Sequence, residues 1–180
     1  MSKMLHVRKL KPVFSPEEIA VRVRQVAGEI DAVYGQDPLV MVCVLKGAFV
    51  FCSDLLRCLR NQNVELEFIR LSSYGNAAAS SGHVTFSKDV ETDIRDRHVL
   101  VVEDIVDSGH TMRFLIDAFS ARKPASLRLA ALLDNRARRE VQVSADFSGF
   151  AWEGGFLVGY GLDYAERFRM LPGIYEILPQ

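Results

Sequence analysis

The sequence has little cysteine and no apolar run long enough to cross a membrane. Its three cysteines, Cys43, Cys52 and Cys58, are odd in number and sit in apolar or helical patterns. No CxxC pair or histidine cluster accompanies them, which argues against a disulfide framework or a zinc site and for buried thiols. The longest apolar stretch, residues 39–52, is broken by Lys46, and it falls short of the roughly 20 residues a spanning helix needs. The basic start, MSKMLHVRKLKP, lacks the apolar segment of a secretory signal, so a cytoplasmic protein is expected. An excess of one charge is missing too. Lys and Arg total 22 against 23 Asp and Glu, a net charge of −1, which counts against bulk electrostatic binding to nucleic acid. Neither a GxxxxGK[ST] loop nor a strand-borne GxGxxG occurs. Gly154-Gly155 reads as a turn, and Gly159-x-Gly161 is too short for a dinucleotide fingerprint. No repeat or low-complexity tract is visible.

What is present is globular. A hydrophobic share of 49% and a charged share of 25% over 180 residues suit one domain with a proper core. Ser15-Pro16-Glu17-Glu18 supplies an N-cap, a first-turn proline and the second half of a capping box. Ile19, Val23, Val26, Ile30 and Val33 continue as a helical stripe that ends near Gly35 and Pro38. Residues 39–45 form an all-apolar strand, followed by Gly47 and a helix with Phe49, Cys52, Leu56 and Leu59 inward. Residues 64–70 alternate in part, Glu65 and Glu67 facing outward. The small-residue stretch 71–82, LSSYGNAAASSG, reads as a mobile loop, with a short flanking strand at 83–87. Met112, Leu115, Ile116 and Phe119 mark a further helix, and 126–133 a further strand. This alternation implies an α/β fold: a twisted, mainly parallel sheet flanked by helices. In such sheets ligands sit at the carboxyl ends of strands, where Lys46, Glu103, Asp104 and Asp134 fall.

The stretch 99–111, VLVVEDIVDSGHT, carries the most information. Its apolar opening fits a strand buried on both faces. Asp107-Ser108-Gly109-His110-Thr111 then leads into a helix. Strand, small-residue loop and helix start together make a phosphate cradle, because the first helical N–H groups lack partners and the dipole favours an anion. Helix capping would account for one nearby acid, but three acids stand within five residues. Glu103 and Asp104 would repel a bound phosphate unless ribose hydroxyls or a divalent cation lie between. A phosphorylated sugar with a metal accounts for the whole run.

These residues resemble the ribose-phosphate-binding signature of the type I phosphoribosyltransferases, and the Glu103-Asp104 order is similar to the hypoxanthine-guanine branch. Further matches are Leu45-Lys46-Gly47, Ser72-Ser73-Tyr74-Gly75, the stretch FLVGYGLDY at 156–164, and Arg169. The resemblance covers about residues 40–170. It implies a single domain over 1–180, with a core of about 36–134 and a small hood from the N-terminal segment and about 135–180. It also implies an enzyme of purine salvage. Such an enzyme moves 5-phosphoribosyl from 5-phosphoribosyl 1-pyrophosphate to hypoxanthine or guanine, giving IMP or GMP and pyrophosphate. By the same resemblance, Glu103, Asp104, Asp107, Ser108, Gly109, His110 and Thr111 hold the ribose phosphate. Lys46, Gly47 and Arg169 hold pyrophosphate, and Asn135, Phe156, Leu157, Leu162 and Asp163 hold the base. Asp107 acts as general acid–base, and Ser73 and Tyr74 close over the site. Mg2+ is held by Glu103, Asp104 and Asp163. Membranes and nucleic acid are not expected partners, and a homodimer or homotetramer is.

The chain departs from the family pattern after Leu132-Leu133-Asp134. A lysine that donates to the 6-oxo group of the base normally follows; here Asn135 and Arg136 stand instead. An asparagine amide is shorter and uncharged. Arg136, Arg138 and Arg139 read first as a solvated basic run. Alternative readings are a xanthine- or adenine-directed sister enzyme and an RNA-binding regulator on the same fold, which resembles it but carries Asp-Asp and a basic face.

Overall fold

Residues 9–74 and 83–178 are described by the computed structural model. Strand β1 (Leu10–Phe14) leads to helix α1 (Pro16–Tyr34). The capping box forms as the sequence predicts. Ser15 Oγ accepts from Glu18 N at 3.2 Å, and Glu18 Oε2 accepts from Ser15 N at 2.8 Å. Then follow β2 (Leu39–Leu45), α2 (Phe49–Cys58), β3 (Val64–Tyr74), β4 (His83–Lys88), β5 (His98–Val106), α3 (His110–Ser120) and β6 (Ser126–Asp134). A 3-10 turn at Arg136–Arg138 precedes β7 (Phe147–Ala151), β8 (Leu157–Val158) and β9 (Ile174–Ile177).

Six strands make the main sheet, in the order β4-β3-β2-β5-β6-β7, parallel except for the antiparallel β3–β4 pair. The all-apolar β2 is central, and its residues alternate between two cores. Leu39, Met41 and Cys43 pack with α1 and α2; Val40, Val42 and Val44 pack with α3. Burying aliphatic side chains such as Ile19 and Ile30 of α1 contributes about 1.5–3 kcal/mol each relative to exposure. A separate antiparallel sheet, β1-β9-β8, joins the two ends of the described chain. No helix among the described residues is long and apolar enough to cross a membrane.

Three expectations need correction. The α1 stripe ends on Tyr34, whose ring stands edge-on to His98 at 5.7 Å, whereas Val33 is exposed. At α2, Phe51, Cys52 and Leu55 are buried and Leu56 and Leu59 pack partly against the same core, while Phe49 is 43% exposed. The helix begins with Phe49, and the phase is set by Phe51 fitting the core beneath β2. Residues 71–74 are strand, not loop. They pair with β4, and Ser72 Oγ meets Thr85 Oγ1 at 3.2 Å. A ladder on one edge satisfies the backbone without a large side chain, so small residues do not preclude a strand. Ser73 and Tyr74 therefore belong to the end of β3, and residues 75–82 lie outside the described residues.

The cysteines are free; Cys43 and Cys52 are buried and Cys58 is half-buried.

Candidate active site

Three parallel strands end side by side, each followed by a polar candidate residue. Lys46 follows β2, Asp107 follows β5, and Asn135 follows β6. The Leu45–Lys46 peptide is cis. A cavity of about 300 Å³ opens at these strand ends and is lined by Gly47, Glu103, Asp104, Asp107, Ser108, Gly109 and Thr111 among others. A second cavity of about 220 Å³ adjoins it and shares Asp104, Ile105 and Asp107. Its remaining walls include Asn135, Arg138, Trp152, Phe156, Leu157, Leu162 and Asp163.

In the first cavity the loop before α3 leaves the helix start without a side-chain cap. Gly109 takes a left-handed conformation as N-cap, with φ of 91°, and no side chain caps the helix. An added Cβ there would press on Arg139 and Val141. The loop is held from behind, since Glu140 N and Val141 N donate to Ser108 O and Arg139 Nε donates to Asp107 O. No acid occupies the first turn of α3. The N–H groups at this end therefore meet no competing carboxylate of their own helix. His110 is turned away, its Nε2 2.8 Å from Glu140 Oε2, and it does not line the cavity.

Glu103 and Asp104 close the floor. Glu103 is 7% exposed. Its Oε1 accepts from Asp104 N at 3.0 Å, and Asp104 Oδ1 accepts from Ile105 N at 2.7 Å. Burial first, and the Asp104 charge second, push the Glu103 carboxyl well above the usual carboxylate range. Gly47 packs directly on this floor: a Cβ at that position would stand 1.6 Å from Asp104 Oδ2. Only glycine lets the loop after β2 lie against the acids.

The cations Lys46 and Arg169 are paired with nearby carboxylates. Lys46 Nζ is 3.0 Å from Glu166 Oε2. Arg169 Nη2 meets Asp163 at 2.7 Å and Glu166 at 3.2 Å, Nη1 donates to Gly161 O at 2.8 Å, and the buried Nε has no partner. Lys46 first, and Arg169 second, hold the Glu166 carboxyl below the usual range. Lys46 and Arg169 thus meet at Glu166, while Asp163 faces the second cavity. Among the described residues no group of three Asp, Glu, His or Cys side chains converges as a metal cage.

In the second cavity Phe156 is 53% exposed and stands edge-on to Tyr164, ring centroids 5.6 Å apart. Leu157 and Leu162 are buried behind it. Asn135 is 2% exposed, and its Nδ2 donates to Asp107 Oδ1 at 3.1 Å. Arg136 and Arg138 are solvated as the sequence suggests, and Arg139 is the exception. Asp134, 1% exposed, pairs with Arg136 Nε at 2.8 Å and Arg139 Nη2 at 2.5 Å. The buried carboxylate holds Arg139 inward, 14% exposed, whereas Arg136 pairs with it from the surface, 74% exposed. Arg138, Trp152 and Glu166 were not among the candidates from sequence. A lone Trp and an acid beside Asp163 were weak signals for two of them.

A family model for the phosphoribosyl transferase domain matches residues 13–165. The chain belongs to that family. This phosphoribosyl transferase domain is 42% identical to the hypoxanthine-guanine phosphoribosyltransferase of Aquifex aeolicus, over 97% of this chain and 98% of that protein. It is 43% identical, over 99% of its length, to the bifunctional protein TilS/HprT of Listeria innocua, of which it spans 28%. Among solved structures, a hypoxanthine-guanine phosphoribosyltransferase from Bacillus anthracis superposes with a TM-score of 0.89 at 40% identity, covering 94% of this chain and 100% of that one. The fold is thereby established as that of a phosphoribosyl transferase domain, a mainly parallel α/β sheet whose strand ends carry the two adjoining cavities.

Proposed function

We propose that the chain transfers 5-phosphoribosyl from 5-phosphoribosyl 1-pyrophosphate to hypoxanthine or guanine, releasing pyrophosphate. The observation that carries this reading is the meeting of two cavities at Asp104 and Asp107, one lined by the acids and the Ser108–Gly109 loop and the other by Phe156, Leu157 and Leu162. The 5-phosphate lies on the Asp107–Thr111 loop, with backbone N–H groups and the Ser108 and Thr111 hydroxyls as donors. The ribose hydroxyls lie on Glu103 and Asp104. Lys46, the Gly47 backbone and Arg169 receive the pyrophosphate, displacing Glu166 from the two cations. Phe156 stacks on the base, and Leu157 offers backbone groups to its edge.

The residues fit a magnesium ion that takes most of its oxygens from substrate. Glu103 and Asp104 are adjacent carboxylates that form no ion pair among the described residues, so a cation between them would meet no competing positive charge. Magnesium usually binds through one or two carboxylates plus phosphate oxygens, not in a protein cage. Glu103 and Asp104 would hold it, with Asp163 as a second site once Arg169 turns to pyrophosphate. The ion supplies charge neutralisation on the leaving pyrophosphate. Asp107 holds the proton of the imidazole nitrogen of the base that does not attack carbon 1. A purine nitrogen forms the new bond to carbon 1 as the bond to pyrophosphate breaks, so catalysis rests on positioning and charge stabilisation. A cytoplasmic homodimer or homotetramer is the proposed setting, with the exposed apolar side chains of Phe49 and Met170 in support.

Incubation with the donor and hypoxanthine should release IMP and pyrophosphate in equal amounts. A chelator should abolish turnover, and magnesium should restore it. Turnover that survives the chelator would remove the metal from this account.

A further inference from the structure

The base cavity needs a donor for an oxo group, and position 135 does not supply a cation. Asn135 directs its Nδ2 to Asp107, and its buried Oδ1 has no partner. Three arginines follow within four positions, and the structure separates them. Arg136 is turned to Asp134. Arg139, 14% exposed, is bound to Asp134 and to the carbonyl oxygens of Val106, Asp107 and Val143. Neither lines the base cavity. Arg138 does, and it is the one cation among the described residues that line it. Its Nη1 stands 3.3 Å from Asp107 Oδ2, and the side chain is 66% exposed. A guanidinium has five N–H donors in a planar fork, so one long contact leaves most of them for a ligand.

We propose that Arg138 reads the oxo group of the base in this chain, and that Asn135 serves as a positioning residue that holds Asp107. The assignment rests on the reading of the second cavity as the base pocket. Arg138 approaches the Asp107 oxygen opposite the one Asn135 holds. The carboxylate is thus fixed from both sides, and the guanidinium stands over the cavity beside it. An arginine offers only donors. It therefore selects bases with a carbonyl at the 6-position and leaves a 6-amino group without an acceptor. A charged donor on a long, exposed stem also tolerates a second oxo group, so the substrate class is the oxopurines as a group.

Kinetics of Arg138→Ala and Arg138→Lys test this, with hypoxanthine as substrate and unsubstituted purine, which lacks the 6-oxygen, as competitive inhibitor. Arg138→Ala should raise KM for hypoxanthine about ten-fold or more. KM for the phosphoribosyl donor should stay unchanged, and Arg138→Lys should recover part of the loss. The inhibition constant of unsubstituted purine should not move, because it has no oxygen to lose a partner. An equal loss for hypoxanthine and purine, or a lower kcat with a displaced pH profile and normal KM for base, would place Arg138 on Asp107 alone and overturn the assignment. Failure of the unmutated chain to turn over any oxopurine would overturn the proposed activity itself, a result distinct from either of these.

Discussion

Asp107 receives Asn135 Nδ2 on one oxygen and the Arg138 guanidinium on the other, at the seam between the two cavities. Asp107→Asn keeps the size and reach of the side chain but removes the basic carboxylate. kcat should fall about 100-fold or more with donor KM largely kept, and near-normal turnover would remove Asp107 from proton transfer. Glu166 gives the second prediction at this scale. It occupies Lys46 and Arg169 before substrate does. Glu166→Gln should lower donor KM several-fold and strengthen inhibition by pyrophosphate, both read from initial rates; unchanged values would mean the pairing does not compete with substrate. The acids of residues 103–107 and the glycine loop were legible in the sequence because their meaning is local: charge, small size and a strand end suffice. Arg138 was not. Three nearby arginines look alike until a buried Asp134 takes two of them, and that burial is a tertiary fact.

Elements with a strong internal pattern were legible for the same reason. The capping box starts α1 where it was expected, β2 runs over the predicted residues 39–45, and Met112, Leu115 and Phe119 face the core from α3. Strands β1, β7, β8 and β9 carried no such pattern. They are two to five residues long, and β1 is completed by a partner more than 150 residues away. At the end of the β3–β4 ribbon the small residues 71–74 mimic a loop in sequence, yet they pair as strand. The start of α1 allows a test of local chemistry. Ser15→Ala removes the acceptor of Glu18 N and should cost about 1 kcal/mol, roughly 2–4 °C in Tm for a chain of this size. Hydrogen bonds from the Ser15 backbone first, and its hydroxyl second, hold the Glu18 carboxyl below its ordinary value near 4.5. A lowered carboxylate contributes stability above the unfolded value and loses it as pH falls through the folded one. Glu18→Gln should therefore lower Tm at neutral pH, with the gap closing as the pH drops below 4.5; a gap that persists in acid would contradict the charge-based cap.

At the scale of the whole molecule, the parallel sheet brings three strand ends to one side, so that Gly47 lines a cavity with Asp107, and Asp107 meets Asn135, although they are far apart in sequence. The second sheet and the segment 152–163 then wall the base cavity from above. Asn135 stands where the resemblance expects a lysine, so base choice is where this chain departs from its family. The most direct measurement is nucleotide formation from a panel of bases, with 5-phosphoribosyl 1-pyrophosphate and magnesium supplied in excess. Hypoxanthine and guanine should yield nucleotide and an equal amount of pyrophosphate, whereas adenine should yield none. Transfer to adenine in preference to the oxopurines, or no transfer to any base, would contradict the account.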